Sequence, residues 1–274
     1  MNDQKPTGPS PLPQVLSQVA LQLKGSLGNI HSALERLAPP EKRETGSQLD
    51  LDAAALCQSY YRIMRLANNL SDAAELEGPC RARLQNLDIV AFCRSVMEKA
   101  EQPAELLGLN LAFRCGQESR VIAMDPDRLE RLMMNLLSNA FKFTPRGGSV
   151  TLEVKVTGQW VQLILTDTGA GIPADRLETV FDRYRSAQTA DPPPHGLGLG
   201  LPICRRIAQE HGGAILLTSR EGQGTTVTVS LPNRKNLEHT LNTVVFDYAG
   251  GFNRTLLELS DALPRRAFTQ AYLD

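Results

Sequence analysis

Between residues 12 and 37 the apolar side chains Leu12, Leu16, Val19, Leu23, Leu27, Ile30, Leu34 and Leu37 recur at steps of three and four. That spacing is the seam of a coiled coil, and it commits the segment to a long helix that must pack along its whole length. Ser10 and Pro11 read as an N-cap followed by proline at the first helical position. The stretch "APPEKRETGSQ" breaks the pattern, and a second helix follows with Leu49, Leu56, Ile63 and Leu70 seven residues apart, ending near Gly78-Pro79. Two long helices joined by a short loop form an antiparallel hairpin. A hairpin cannot enclose a core alone, but two copies can, as a four-helix bundle. Leu23, Leu27, Ile30, Leu56, Ile63 and Leu70 are then expected along the core shared by two chains. The alternative is a hairpin packed only on the rest of its own chain.

The rest of the chain must supply the chemistry. A formal net charge of −1 over 274 residues offers no basic surface for nucleic acid or a membrane. No apolar run approaches the roughly 18 residues of a membrane span, and the polar, Pro-rich start "MNDQKPTGPSPLP" is unlike a signal peptide. Cys57, Cys80, Cys93, Cys115 and Cys204 are odd in number and scattered, the pattern of reduced thiols, so a cytoplasmic location is expected. The expected organisation is a disordered leader over 1–9, a helical hairpin over 10–78, a mixed α/β domain over 84–232 and a C-terminal extension over 233–274. In the α/β part, "LDIVAFCRSVMEKAEQPAEL" reads as a helix, "LNLAFRC" and "RVIAM" as strands, and "SVTLEVKV" with "WVQLILTD" as a hairpin. "LPICRRIAQEHGG" is a helix closed by glycine, and "AILLTS" with "TTVTVSL" forms a last hairpin. Five or six strands and three helices make an α/β sandwich with the helices on one sheet face, and the whole chain is of the α+β class.

Three stretches carry polar chemistry. The helical run "DRLERLMMNLLSNAFKF" places Asn135 and Asn139 on one face, with Lys142 following. Asn is a mediocre helix former, so carboxamides and an ammonium in line present themselves to something polar. "DTGAGIP" follows a strand. Asp167 at the strand's end can accept from an exocyclic amine, with Gly169 and Gly171 allowing close backbone approach; a plain Asx turn is the other reading. "HGLGLGLPICRR" brings Gly196, Gly198 and Gly200 into a helix N-terminus, which is either a phosphate cradle or a flexible loop with capping glycines. Between them "RLETVFDRYRSAQTADPPPH" reads as a lid anchored by Phe181 and Tyr184.

The order of these stretches, closed by "GQGT", resembles the ATP-binding catalytic domain of sensor histidine kinases, the GHKL or Bergerat nucleotide fold, over about residues 84–232. The resemblance implies ATP and Mg²⁺ as ligands. It implies that Asn135 and Asn139 hold the metal and phosphate, that Lys142 lies near the phosphates and that Asp167 reads the adenine amine. Gly169, Gly171, Phe181, Tyr184 and Thr225 complete the nucleotide site, and Gly196, Gly198 and Gly200 hold the triphosphate. Leu199 and Leu201 fill the family's apolar positions, and Leu197 stands where Thr or Ser is usual. In the related chaperone and gyrase ATPases a Glu stands at the position of Asn135, as base for water. A carboxamide cannot take a proton, which favours phosphoryl transfer or plain binding over hydrolysis.

The hairpin also resembles the family's dimerisation and phosphotransfer domain, which implies a homodimer and, as further partner, a response regulator or a separate sensor protein. The motif that holds the phosphoacceptor aligns best with "ALQLKGSLGNI", Ala20 to Ile30. There the histidine is Leu21, the adjacent acid is Gln22 and the proline is Ser26, while the packing positions stay. His31 lies ten residues on, roughly 80° round the helix and about 15 Å along it. The hairpin leaves two expectations: a Mg–ATP-binding signalling dimer without phosphorylation at the usual place, or an active kinase using His31 or a partner's residue. The extension reads as a strand at "TVVFDY", a turn at Gly250-Gly251, a short helix at "RTLLELSDAL" and another after Pro264. It is either an ornament on the ATP-binding domain or a docking element.

Overall fold

A computed structural model describes residues 12–75, 82–182, 198–235 and 253–272. Helix α1 spans Leu12–Leu37 and α2 spans Gln48–Glu75, packed against each other as a hairpin. A 3-10 turn at Pro40–Lys42 joins them. The start of α2 is capped by Ser47, whose hydroxyl accepts from the Asp50 amide at 3.2 Å, while the Asp50 carboxylate accepts from the Gly46 amide at 3.1 Å. The N-cap expected at Ser10 lies outside the described residues.

The apolar seam of α1 divides in two. Ala20, Leu27 and Leu34 are buried, and Leu27 and Leu34 join Ala53, Ala54, Cys57, Tyr60 and Tyr61 of α2 in the core. Leu23, Ile30 and Leu37 on α1, and Leu49, Leu56 and Ile63 on α2, remain exposed. Each trio keeps a seven-residue step, so each forms a stripe down one helix. Leu27 therefore packs inside the single hairpin, whereas its expected neighbours Leu23, Ile30, Leu56 and Ile63 face outward.

The α/β part holds a five-stranded sheet in the order β2-β4-β5-β7-β6 and a two-stranded sheet β1-β3. Its strands are β1 Gln85–Asp88, β2 Asn110–Cys115, β3 Val121–Met124, β4 Ser149–Thr157, β5 Trp160–Asp167, β6 Ala214–Arg220 and β7 Gly224–Pro232. β2 runs parallel to β4, and all other pairs are antiparallel. Val150, Leu152 and Val154 of β4, Val161, Leu163 and Leu165 of β5, and Val227, Val229 and Leu231 of β7 point to one buried face. Helices α3 (Ile89–Leu107), α4 (Pro126–Phe143) and α6 (Gly200–Glu210) join these strands in the core, and a single turn α5 covers Ala174–Leu177. Among the described residues the strands number seven rather than five or six. β1 is the addition: its four residues precede Asp88, whose carboxylate caps α3 by accepting from the Val90 and Ala91 amides, so strand and helix read as one run.

The C-terminal segment contributes α7 (Arg254–Leu259) and a 3-10 turn at Arg265–Phe268. These sit between α2 of the hairpin and α4 of the α/β part, with Leu256, Leu259, Leu263 and Phe268 buried. The extension therefore packs on both parts of the chain. The strand expected at "TVVFDY" and the turn at Gly250-Gly251 lie outside the described residues.

Candidate functional site

Helix α4 is fixed at its start and along one side. Asp125 caps it by accepting from the Arg128 amide at 3.2 Å, and Pro126 occupies the first turn. The Asp125 amide donates to Nε2 of buried His211 at 3.0 Å, and His211 Nδ1 lies 2.8 Å from the Ile207 carbonyl. That pairing makes His211 a strut between α4 and α6. Leu129, Leu132, Met133, Leu136, Leu137, Ala140 and Phe141 are buried, and Cys204 of α6 donates to the Leu132 carbonyl at 3.5 Å.

On this anchored helix Asn135 is only 1% exposed, while Asn139 and Lys142 are half-buried. Asn135 faces the start of α6: a Cβ on Gly200 would lie 3.8 Å from its Oδ1. Its Nδ2 is buried without a hydrogen-bond partner. Lys142 Nζ stands 5.1 Å from the Phe143 ring centroid. Burial pushes its amine down to about 8, with Arg65 adding to the effect and Asp261 opposing it.

The sheet brings up the second stretch. Asp167 ends β5 in register with Thr225 of β7, and its Oδ1 accepts from the Gly169 amide at 2.8 Å and the Thr225 amide at 3.2 Å. Both bonds fall on one oxygen, so Oδ2 keeps its acceptor capacity. Burial raises the carboxyl above its ordinary value, against these two hydrogen bonds. Gly171 has φ +69°, and a Cβ there would meet the Arg220 carbonyl at 2.1 Å, so the turn after Asp167 requires glycine. Thr225 Oγ1 pairs with Ser219 Oγ at 2.9 Å.

Leu199 is buried just before α6, Leu201 is half-buried and Gly198 takes φ +67°. Phe181 is half-buried, with the Arg205 guanidinium of α6 at 5.7 Å from its ring centroid. Tyr184, Gly196 and Leu197 lie outside the described residues. On the hairpin, Leu21 is 72% exposed and Gln22 is exposed. His31 stacks on Tyr60 with ring centroids 4.6 Å apart, so it is a half-buried packing group rather than a surface one.

Arg65 of α2 also reaches this site. It is 5% exposed; its Nη2 donates to Asn135 Oδ1 at 3.3 Å and its Nη1 to Ser138 Oγ at 2.9 Å. Neither Arg65 nor Ser138 was marked by the sequence, because the contact joins residues on different elements with no local pattern linking them.

Residues 124–235 match the family of histidine kinase-, DNA gyrase B- and HSP90-like ATPases. The adaptive-response sensory kinase SasA of Synechococcus elongatus is 31% identical over 66% of this chain and 55% of its own length. The sensor histidine kinase ZraS of Escherichia coli is 29% identical over 78% of this chain and 44% of its own. The chain belongs to the sensor histidine kinase family. Full-length ShkA, solved in complex with AMPPNP, superposes with a TM-score of 0.65 at 25% identity, over 80% of this chain and 46% of that one. The chain spans about half the length of the relatives it matches. Among its described residues no helix is long and apolar enough to cross a membrane.

Proposed function

We propose that the chain is a histidine-kinase-type signalling protein that binds Mg–ATP, dimerises through its hairpin and has no phosphoacceptor at that hairpin's usual position. In this reading residues 10–78 are the dimerising hairpin, 84–232 the ATP-binding domain and 233–274 an appended segment. The observation that carries it is the meeting of the asparagine helix with the start of α6, where Gly200 places bare backbone opposite the Asn135 carboxamide. The fit to a metal–nucleotide is supported by the buried, unpartnered Nδ2 of Asn135 and by the neutral oxygen donors of two carboxamides. Asn135 and Asn139 hold Mg²⁺, Lys142 the phosphates and Asp167, through its free Oδ2, the exocyclic amine of adenine. The glycine backbone from Gly196 to Gly200 cradles the triphosphate, with Gly169, Gly171, Phe181, Tyr184, Leu197, Leu199, Leu201 and Thr225 shaping the rest. Bound Mg–ATP supplies a transferable phosphoryl group.

The hairpin's own residues decide whether that group can be accepted. Leu21 has no group to phosphorylate and Gln22 no base, so neither can take the phosphoryl group or its displaced proton. Asn135 likewise cannot activate water. The exposed stripes of Leu23, Ile30 and Leu37 and of Leu49, Leu56 and Ile63 support a second copy as the hairpin's cover. A response regulator or a separate sensor is the class of further partner. Stacking on Tyr60 holds the His31 ring against its own hairpin, which supports the first expectation over an acceptor role for His31.

The test is calorimetry. Asp167→Ala removes a charged hydrogen bond worth roughly 1.5–3 kcal/mol, so ATP and ADP should both bind about ten- to a hundredfold more weakly. Asn139→Ala should weaken binding in the presence of Mg²⁺ and little in its absence. Wild-type affinity in both variants would refute the assignment.

A further inference from the structure

We propose that the C-terminal segment 254–268 is an intramolecular clamp that seats Arg65 on the metal-side oxygen of Asn135, and that Mg–nucleotide and this clamp exclude one another. The inference rests on the nucleotide reading above. Asn135 Oδ1 accepts from Arg65 Nη2 at 3.3 Å. A magnesium ion needs such an oxygen at about 2.1 Å with its lone pairs free, and a guanidinium on the same atom sets a positive charge beside a doubly positive one. Arg65 must withdraw before the carboxamide can serve the metal.

The segment holds Arg65 where it is. Asp261 pairs with Arg65 Nη1 at 2.9 Å, and Glu258, 2% exposed, lies 4.0 Å from its Nε. Glu258 also pairs with Arg131 of α4 at 2.6 Å, and Arg131 in turn reaches Asp72 at 2.5 Å and Asn69 at 3.0 Å on α2. Glu258 on α7 and Asp261 just beyond it thus supply the carboxylates for an arginine from each of the two parts that the segment joins. Backbone carbonyls of the segment take two more side chains of α2: Gln58 donates to Leu263 at 2.8 Å and Arg62 to Ser260 at 3.2 Å. Buried ion clusters contribute little net stability but penalise any arrangement that leaves a member unpaired. This one therefore favours a single seating of the hairpin on the ATP-binding part. A ligand that requires the unseated form binds with an affinity reduced by the fraction of chains that are open.

The test titrates Mg–AMPPNP, and AMPPNP with a chelator, into the full chain and its variants. Arg65→Gln and Asp261→Asn should each tighten Mg–AMPPNP by about tenfold, with a smaller change when the metal is removed. Asp167→Ala should weaken binding under both conditions. Unchanged or weaker Mg–AMPPNP binding in Arg65→Gln, with Asp167→Ala still impaired, overturns the clamp and leaves the nucleotide reading standing. An unimpaired Asp167→Ala overturns that reading and the clamp with it. Hydrogen exchange on the wild-type chain gives a second readout that needs no variant. Mg–AMPPNP should lower protection of the amides of 256–263, and unchanged or increased protection there overturns the clamp.

Discussion

Lys142 shows how much chemistry a single buried amine can carry. Burial holds it near 8 instead of the ordinary 10.5. Between those values the folded chain carries it neutral while the unfolded chain carries it charged, so unfolding takes up a proton and stability rises with pH through that window. A bound phosphate has the opposite preference, since it favours the charged amine. Nucleotide binding at about pH 8.5 should therefore take up a proton, and affinity should fall as pH rises further. Calorimetric enthalpies in two buffers of different ionisation heat measure the uptake. Lys142→Met should abolish it, and no uptake in the wild type would remove Lys142 from the phosphates. The candidate polar groups were legible as residue types, because asparagines and a lysine on an otherwise apolar helix need a reason. The ion cluster of Arg65, Arg131, Glu258 and Asp261 was not, because its members come from α2, α4 and the C-terminal segment and each alone reads as an ordinary surface charge.

At the scale of elements, periodicity made α1, α2 and α4 readable, and alternation did the same for β4, β5 and β7. It failed at β1, where four residues are too few for a pattern and the next turn is helical. It also could not divide the seam of α1 into its two stripes, because steps of three and four serve both. The division changes which residue reports on assembly. Leu27 is buried inside the single hairpin, so Leu27→Asp should unfold the hairpin itself. Ile30 and Ile63 are outward apolar groups, so Ile30→Asp with Ile63→Asp should leave the helices folded and break the dimer. Light scattering with circular dichroism separates the two outcomes. A wild-type monomer at tens of micromolar concentration would contradict the dimer, and a doubly substituted chain that remains dimeric would mean another surface is used.

At the scale of the whole molecule, the α+β layout and the succession of motifs were legible because each motif is local. The seating of the two parts was not, because it depends on the last described residues. Phe268 is fully buried and packs on Tyr61 of α2 with ring centroids 5.6 Å apart. Phe268→Ala should destabilise the chain by about 3–5 kcal/mol, seen as a lower Tm, if the segment is part of the cooperative fold. A Tm within a degree or so of the wild type would make the segment a loose appendage. The central proposal joins all three scales: a chain of histidine-kinase type that binds Mg–ATP and has no phosphoacceptor at the usual position of its hairpin. Incubation of the full chain with Mg²⁺ and γ-labelled ATP tests it most directly. Label should be retained non-covalently and none should remain on the wild-type protein after denaturation, while Leu21→His with Gln22→Glu should gain an acid-labile label. An acid-labile label on the wild-type chain that His31→Ala abolishes would contradict the account.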